Sequence, residues 1–322
     1  MQNDSDRSRD RRSLALRVVA IVAIVIGLVF MMRGIDVGSI GRSMWRARWW
    51  PVAIAAVINF GIILCKAIAW RLLLAPDHRV SVARIYRYTL ISYATSVILP
   101  LRAGELARIW MLRDHDGVPL SRGASVAIAE KLLDVISMLI LVAPLPLIVA
   151  DLPRSVTAWI SGLAVSALVG VWVLRQLGPR LGSSGWRGQL GRGLAILHAP
   201  RRAAAAVAIL LVGWLIDRAM IDLVLWAMGL EVPAGAGILV LFAINIAVAV
   251  PSTPAQVGAL ELGAVLALHI LHVPEQDSLA FALLYHALQV LPVTLAGLLV
   301  GAPELVRRNP KTVAKDPPSG GY

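Results

Sequence analysis

Four stretches of the chain, residues 14–32, 51–65, 135–150 and 203–216, are near-continuous Leu, Val, Ile and Ala. Neighbouring residues extend each of them towards the ~20 residues that cross a bilayer. The composition agrees: 58% of the 322 residues are hydrophobic and 16% charged, with a mean hydropathy of +0.75, whereas soluble domains carry about 25% charged residues. Lipid is therefore the solvent of most of this chain. Because lipid offers no hydrogen bonds to the backbone, the expected fold class is all-α, a polytopic integral membrane protein.

The segment from Leu14 to Met32 follows Arg7, Arg9, Arg11 and Arg12 and so has the outline of a secretory signal. It runs past the usual apolar length of such signals, and no small-residue cleavage site follows, so it reads as a membrane anchor. A formal net charge of +12 would suggest nucleic acid in a soluble protein. Here most arginines fall between apolar spans, where the positive-inside bias puts them, and no nucleic-acid partner is expected. The single cysteine, Cys65, sits in an apolar window and supports neither a disulfide framework nor a thiolate metal site.

Lys and Arg counts set the orientation. Four lie before residue 14, three in 75–88, four in 102–122, six in 175–202 and four after 303, against one near Asp151 and none in 229–237 or 273–277. The basic set is expected on the cytoplasmic side. Both flanks of the short apolar run from Tyr88 to Leu99 then belong inside, and both flanks of 238–272 belong outside. The first piece is too short to cross and ends at Pro100; the second is broken at Pro251 and Pro254. Proline removes a backbone donor and stops the preceding helix, so each piece reads as a re-entrant helical hairpin. The expected layout is six full spans, near 14–32, 50–73, 124–149, 155–174, 203–228 and 278–302, plus two opposed hairpins. Residues 1–13 and 303–322 are expected to be cytoplasmic tails around a membrane domain at 14–302. The segment 33–49 should then lie outside despite Arg33, Arg42, Arg46 and Arg48, as an interfacial strip shared with Trp45, Trp49 and Trp50.

The hairpins carry related motifs. The first reads from Leu99 and Pro100 through Arg102, Gly104 and Glu105 to Arg108; the second runs from Pro251 and Pro254 through Gly258 to Glu261. Interrupted segments in corresponding positions of two halves mark a central site in transporters, where exposed helix ends face the cargo. Pro100, Gly104, Pro251, Pro254 and Gly258 are the expected hinges. Ionisable groups at membrane depth face a polar interior and pair with one another. They include Glu130, Lys131 and Asp134 in the third span, Asp217, Arg218 and Asp222 in the fifth, and His286 with Gln289 in the last. Glu130 and Asp134 lie four apart and share a helix face. The lipid-binding candidates are Arg102, Glu105, Arg108, Glu130, Asp134, Asp217, Arg218 and Glu261. Lys66 and Arg71 rank second, because a span ending near Leu74 lets them snorkel to the cytoplasmic face. The six histidines lack the carboxylate spacing of a metal site, and there is no Walker loop or dinucleotide fingerprint. No metal, no cofactor and no catalytic residue is expected.

Taken together, Leu99-Pro100-Leu101-Arg102-Ala103-Gly104-Glu105 with Arg108, Glu130-Lys131 with Asp134, and Pro251-Ser252-Thr253-Pro254 with Gly258 and Glu261 resemble the transmembrane, flippase-like part of lysylphosphatidylglycerol synthases. The resemblance covers nearly the whole chain. It implies an inner-membrane protein that translocates an aminoacylated phospholipid, a polyprenyl-linked lipid or a hopanoid-type lipid. The aminoacyl-transferase domain of full synthases has no counterpart before the chain ends at Tyr322, so synthase activity is not expected. The second motif departs from the more glycine-rich family form by placing Ala255 and Gln256 after Pro254. The expected function is lipid translocation. The alternative is an accessory membrane subunit with a lipid-modifying enzyme as its partner and no transport activity.

Overall fold

A computed structural model describes residues 37–75, 77–98, 104–149, 153–177, 199–249 and 254–307. Within them the chain forms helices joined by turns, and no strand occurs among the described residues. In chain order the helices are α1 (Val37–Arg46), α2 (Trp49–Leu74), α3 (Val82–Ile98), α4 (Gly104–Asp116), α5 (Leu120–Val142), α6 (Leu145–Ile148) and α7 (Arg154–Leu177). They continue as α8 (Pro200–Ala227), α9 (Ala236–Ala247), α10 (Ala259–Ile270) and α11 (Glu275–Arg307), with a single 3₁₀ turn at Pro254–Gln256.

Four stretches among the described residues are long and apolar enough to cross a membrane: Trp49–Leu74, Leu120–Ile148, Pro200–Ala227 and Glu275–Gly301. They fall on four of the six expected spans. The expected span at 155–174 falls on α7, whose apolar stretch, Arg154–Gly170, is shorter. The expected first span, 14–32, and the expected tail 1–13 lie outside the described residues, as does most of the tail at 303–322.

The helix directions follow from side-chain and backbone contacts. Helices α2 and α8 run antiparallel along their lengths: Arg48 N donates to Ala227 O at one end, and Arg202 Nη1 donates to Ala75 O at the other. Between these ends Gly213 brings α8 close to Cys65, the small-residue approach that packs helices where no water drives them together. Helix α5 runs antiparallel to α2, with Arg122 Nη2 on Leu73 O near its start. Helix α11 runs parallel to α2, since Ser43 just before α2 donates to Asp277 while Asn59 meets Leu288 and Gln289 further along.

That last contact has a local cause. Pro292 cannot donate to the carbonyl of Leu288 four residues earlier. Asn59 Nδ2, buried in α2, donates to Leu288 O at 2.9 Å and to Gln289 O at 3.0 Å and satisfies the carbonyl that the proline leaves open.

The short helices form two hairpins. In the first, α3 and α4 fold back on each other, with Ser92 Oγ donating to Gly104 O at 2.7 Å and Tyr88 OH to Asp116 at 3.0 Å. A Cβ at Gly104 would collide with Ser92 O, so this glycine provides close contact. In the second hairpin, α9 and α10 meet where Gly263 lies against the Ile244 backbone. The base of the first hairpin lies where α2 ends and α5 begins; that of the second lies where α8 ends and α11 begins. With α2 and α8 antiparallel, these bases occupy opposite ends of the bundle. Each hairpin has its own apolar cluster. One is built on Trp70, Ile85, Leu112 and Leu133, the other on Ile221, Leu241, Leu268 and Phe281.

The expected aromatic strip is α1 and the start of α2. Trp45, Trp49 and Trp50 are exposed, Trp50 packs edge-on against Trp226, and the Arg48 guanidinium lies 5.4 Å above the Trp226 ring.

Candidate functional site

Two polar networks occupy the interior, one beside each hairpin. The first is gathered by α2, α4 and α5. Lys66 and Trp70 are four apart on α2, and Glu130 and Asp134 are four apart on α5, so each pair shares a helix face. The buried Glu130 carboxylate accepts from Trp70 Nε1 at 2.6 Å and from Arg108 Nη2 at 3.1 Å, both on Oε2. Its Oε1 lies 3.6 Å from Lys66 Nζ, which also donates to Asp134 Oδ2 at 3.1 Å. Arg108 comes from the first hairpin and is 4% exposed. Its guanidinium stacks 3.8 Å from the centre of the Trp70 ring, while its buried Nε has no hydrogen-bond partner among the described residues. Two cations face two carboxylates, so the charges balance in a place where an isolated charge is costly.

The second network is gathered by α8, the tip of the second hairpin and α11. Tyr285 OH donates to the buried Asp217 Oδ1 at 2.6 Å and accepts from Gln289 Nε2 at 2.8 Å. One residue on, His286 Nδ1 lies 2.6 Å from Glu261 Oε1, and His286 Nε2 lies 2.9 Å from Ala255 O. The other oxygen of Glu261 accepts from Gly258 N at 2.7 Å, which caps α10. The turn leading into α10 is left-handed, with φ of 53° at Ala255, 66° at Gln256 and 87° at Gly258. Glycine adopts such angles freely, whereas Ala and Gln occupy them sparsely. The two residues that depart from the glycine-rich form of the motif thus still take the backbone shape glycine favours.

The sequence candidates are only partly brought together. Arg108, Glu130 and Asp134 share the first network; Asp217 and Glu261 belong to the second. Glu105 stays outside both and pairs with Lys131 at 2.7 Å, both groups partly exposed. This pair sits in an open groove of about 380 Å³ whose other walls are Ala127, Ile128, Leu132 and Val135. Arg218 also points elsewhere. It pairs with Asp222 one turn along α8 at 2.9 Å, and the Asp222 carboxylate lies against Gly237 in the first turn of α9. A step of one residue turns a helix by about 100°, so adjacent Asp217 and Arg218 serve different faces. Lys66 corrects its second rank: it turns inward to Asp134 and Glu130 instead of snorkelling. Arg102 and the hinges Pro100 and Pro251 lie outside the described residues, and Pro254 opens the 3₁₀ turn.

Trp70, Tyr285 and Asn59 were not singled out from the sequence. Indole and phenol rings in apolar runs read as packing. The available signal was spacing, since Trp70 stands four residues from Lys66 and Tyr285 four from Gln289. Among the described residues no group of three His, Cys, Asp or Glu side chains is arranged to hold a metal ion.

Comparison with known proteins adds the family. No curated protein matches the chain. The family described as Lysylphosphatidylglycerol synthase TM region matches residues 17–297, which takes in both hairpins and both networks. On that match and on its long apolar helices, the chain belongs to this family and is a polytopic membrane protein with a lipid-related function.

Proposed function

We propose that the protein moves an amphipathic lipid across the cell (inner) membrane, with both termini in the cytoplasm. In this reading the hairpins are re-entrant, the first dipping in from the cytoplasmic side and the second from outside. The observation that carries it is the balanced network of the buried Arg108 and Glu130 with the half-buried Lys66 and Asp134, beside a hairpin, in a chain of a lipid-related family. A lipid phosphate is attracted by the cations of such a network and a lipid amine by its carboxylates. A head group can therefore exchange partners with residues already paired, and the apolar groove beside Glu105 and Lys131 gives its acyl chains a route along α4 and α5.

The test is reconstitution in vesicles containing labelled phospholipids and polyprenyl-linked lipids. Faster transbilayer movement than in empty vesicles, slowed by Arg108→Gln, is the expected result; equal rates for every lipid class overturn the reading. The second reading, an accessory subunit of a lipid-modifying enzyme, is favoured by the closure of the ion pairs among themselves, as in a structural clamp. Recovery of such an enzyme with the purified protein, together with inactivity in vesicles, supports that alternative.

A further inference from the structure

The hydrogen bonds around His286 contain a proton count. Both of its ring nitrogens face acceptors: Nδ1 lies 2.6 Å from Glu261 Oε1 and Nε2 lies 2.9 Å from the carbonyl oxygen of Ala255. A neutral imidazole has one N–H and one bare lone pair. With Nδ1–H on Glu261, its bare Nε2 would confront a carbonyl lone pair at 2.9 Å. The arrangement therefore calls for one more proton than a neutral histidine and a carboxylate together carry. Glu261 is already an acceptor for the Gly258 N–H through its other oxygen, the state in which a carboxylate stays ionised. The extra proton then belongs on the imidazole.

The same contact holds the tip of the second hairpin. Ala255 lies in the left-handed turn, with φ of 53°, and His286 and Glu261 fix both of its sides. The tip also packs against α3 of the first hairpin. Several charged groups on and around α11 have partners of their own, and Tyr86 of α3 packs among Ile63, Leu90 and Val293. Asp217 of α8 accepts from Tyr285, Lys66 of α2 pairs with Asp134, Arg87 of α3 donates to Val300 O, and Asp277 at the foot of α11 accepts from Ser43 of α1. Glu261, from α10, is the carboxylate in direct contact with the His286 ring.

We infer that His286 and Glu261 form a proton-binding site that latches the second hairpin. In the latched state an imidazolium donates to the Glu261 carboxylate and to Ala255 O. When the Nε2 proton passes to water, the pair goes from neutral to one net negative charge, the bond to Ala255 O is lost, and two lone pairs oppose each other. The strained turn is then free to leave α11. The site stands on hydrogen-bond chemistry alone; its use as the coupling ion of transport rests on the lipid-movement reading above.

Two measurements on the full chain in lipid nanodiscs test it. Nitrogen NMR of ¹⁵N-histidine protein, with His286 assigned by its loss in His286→Gln, should show both ring nitrogens protonated while the tip is closed. A bare nitrogen in that state overturns the assignment. The second measurement is maleimide labelling of Val257→Cys in a Cys65→Ser background, normalised to an exposed control cysteine. Val257 is 41% exposed and adjoins the turn. Normalised labelling should rise several-fold as pH increases, and this rise should vanish when His286→Gln is added, since an amide has no proton to lose. A flat wild-type profile, or the same rise in both proteins, sinks the latch. Neither readout uses lipid movement. An intact latch with no transport rejects only the transport reading, and transport with a pH-insensitive tip rejects only the latch.

Discussion

The first hairpin is fastened through Arg108, a guanidinium that keeps its charge at any pH the protein meets, against Glu130 and the Trp70 ring. The second is fastened through His286, the side chain whose charge changes most readily near neutrality, against Glu261 and a backbone carbonyl. The tips also differ in backbone cost. Gly104 of the first sits at a close approach to Ser92, whereas Ala255 and Gln256 of the second hold positive φ without being glycine. One hairpin is a fixture; the other has an inexpensive way to let go. An inverted pair of motifs therefore does not require a symmetric motion.

Four substitutions break or sharpen that contrast. The largest effect is expected from Glu130→Ala, which strands the Arg108 guanidinium in the interior, leaves Lys66 to Asp134 alone and should lower stability by about 3–5 kcal/mol. Adding Arg108→Leu should recover part of the loss, as measured by unfolding in bicelles. No recovery would mean that the network is not a clamp on the first hairpin. Next is Asn59→Leu, which leaves the carbonyl opposite Pro292 without its donor and should cost about 1–3 kcal/mol in the same assay. A smaller effect of opposite sign is expected at the second tip. Gln256→Gly relieves a left-handed residue and should stabilise by about 1 kcal/mol at most, after the added flexibility of glycine is subtracted; a loss of stability there would deny the strain. The smallest change in stability belongs to Lys131→Met. Its partly exposed pair with Glu105 is worth roughly 0–1 kcal/mol, yet lipid movement in vesicles should slow. Unchanged transport would remove the groove from the path.

Much of this architecture was legible because membrane spans are written in length and polarity. The edges of the four long apolar stretches, Trp49–Leu74, Leu120–Ile148, Pro200–Ala227 and Glu275–Gly301, lie within a few residues of those read from the sequence. Charge counting and proline placement also fell on the two places where short helices, α3 with α4 and α9 with α10, fold back on each other. Pairing was less legible. That Glu130 and Asp134 share a face follows from helical spacing, but their partners come from α2 and α4, and which helices touch depends on close approaches such as Gly213 on Cys65 and Gly297 on Leu90. Lys66 was ranked low because its distance from Leu74 permits two outcomes, and the opposing carboxylates on α5 decide between them. Arg218 was grouped with Asp217 because the two are neighbours in sequence, which on a helix guarantees different surroundings.

The amide of Asn59 bridging the gap above Pro292 has one more consequence. A proline within a long helix ordinarily creates a joint, around which the two halves tilt independently. Here the carbonyl left open at that joint, and that of Gln289 beside it, are tied to α2, so bending α11 there means tearing away from α2 or carrying α2 along. Helices α2 and α11 thus form a single lever, with its stiffest point next to the histidine that contacts the tip of the second hairpin.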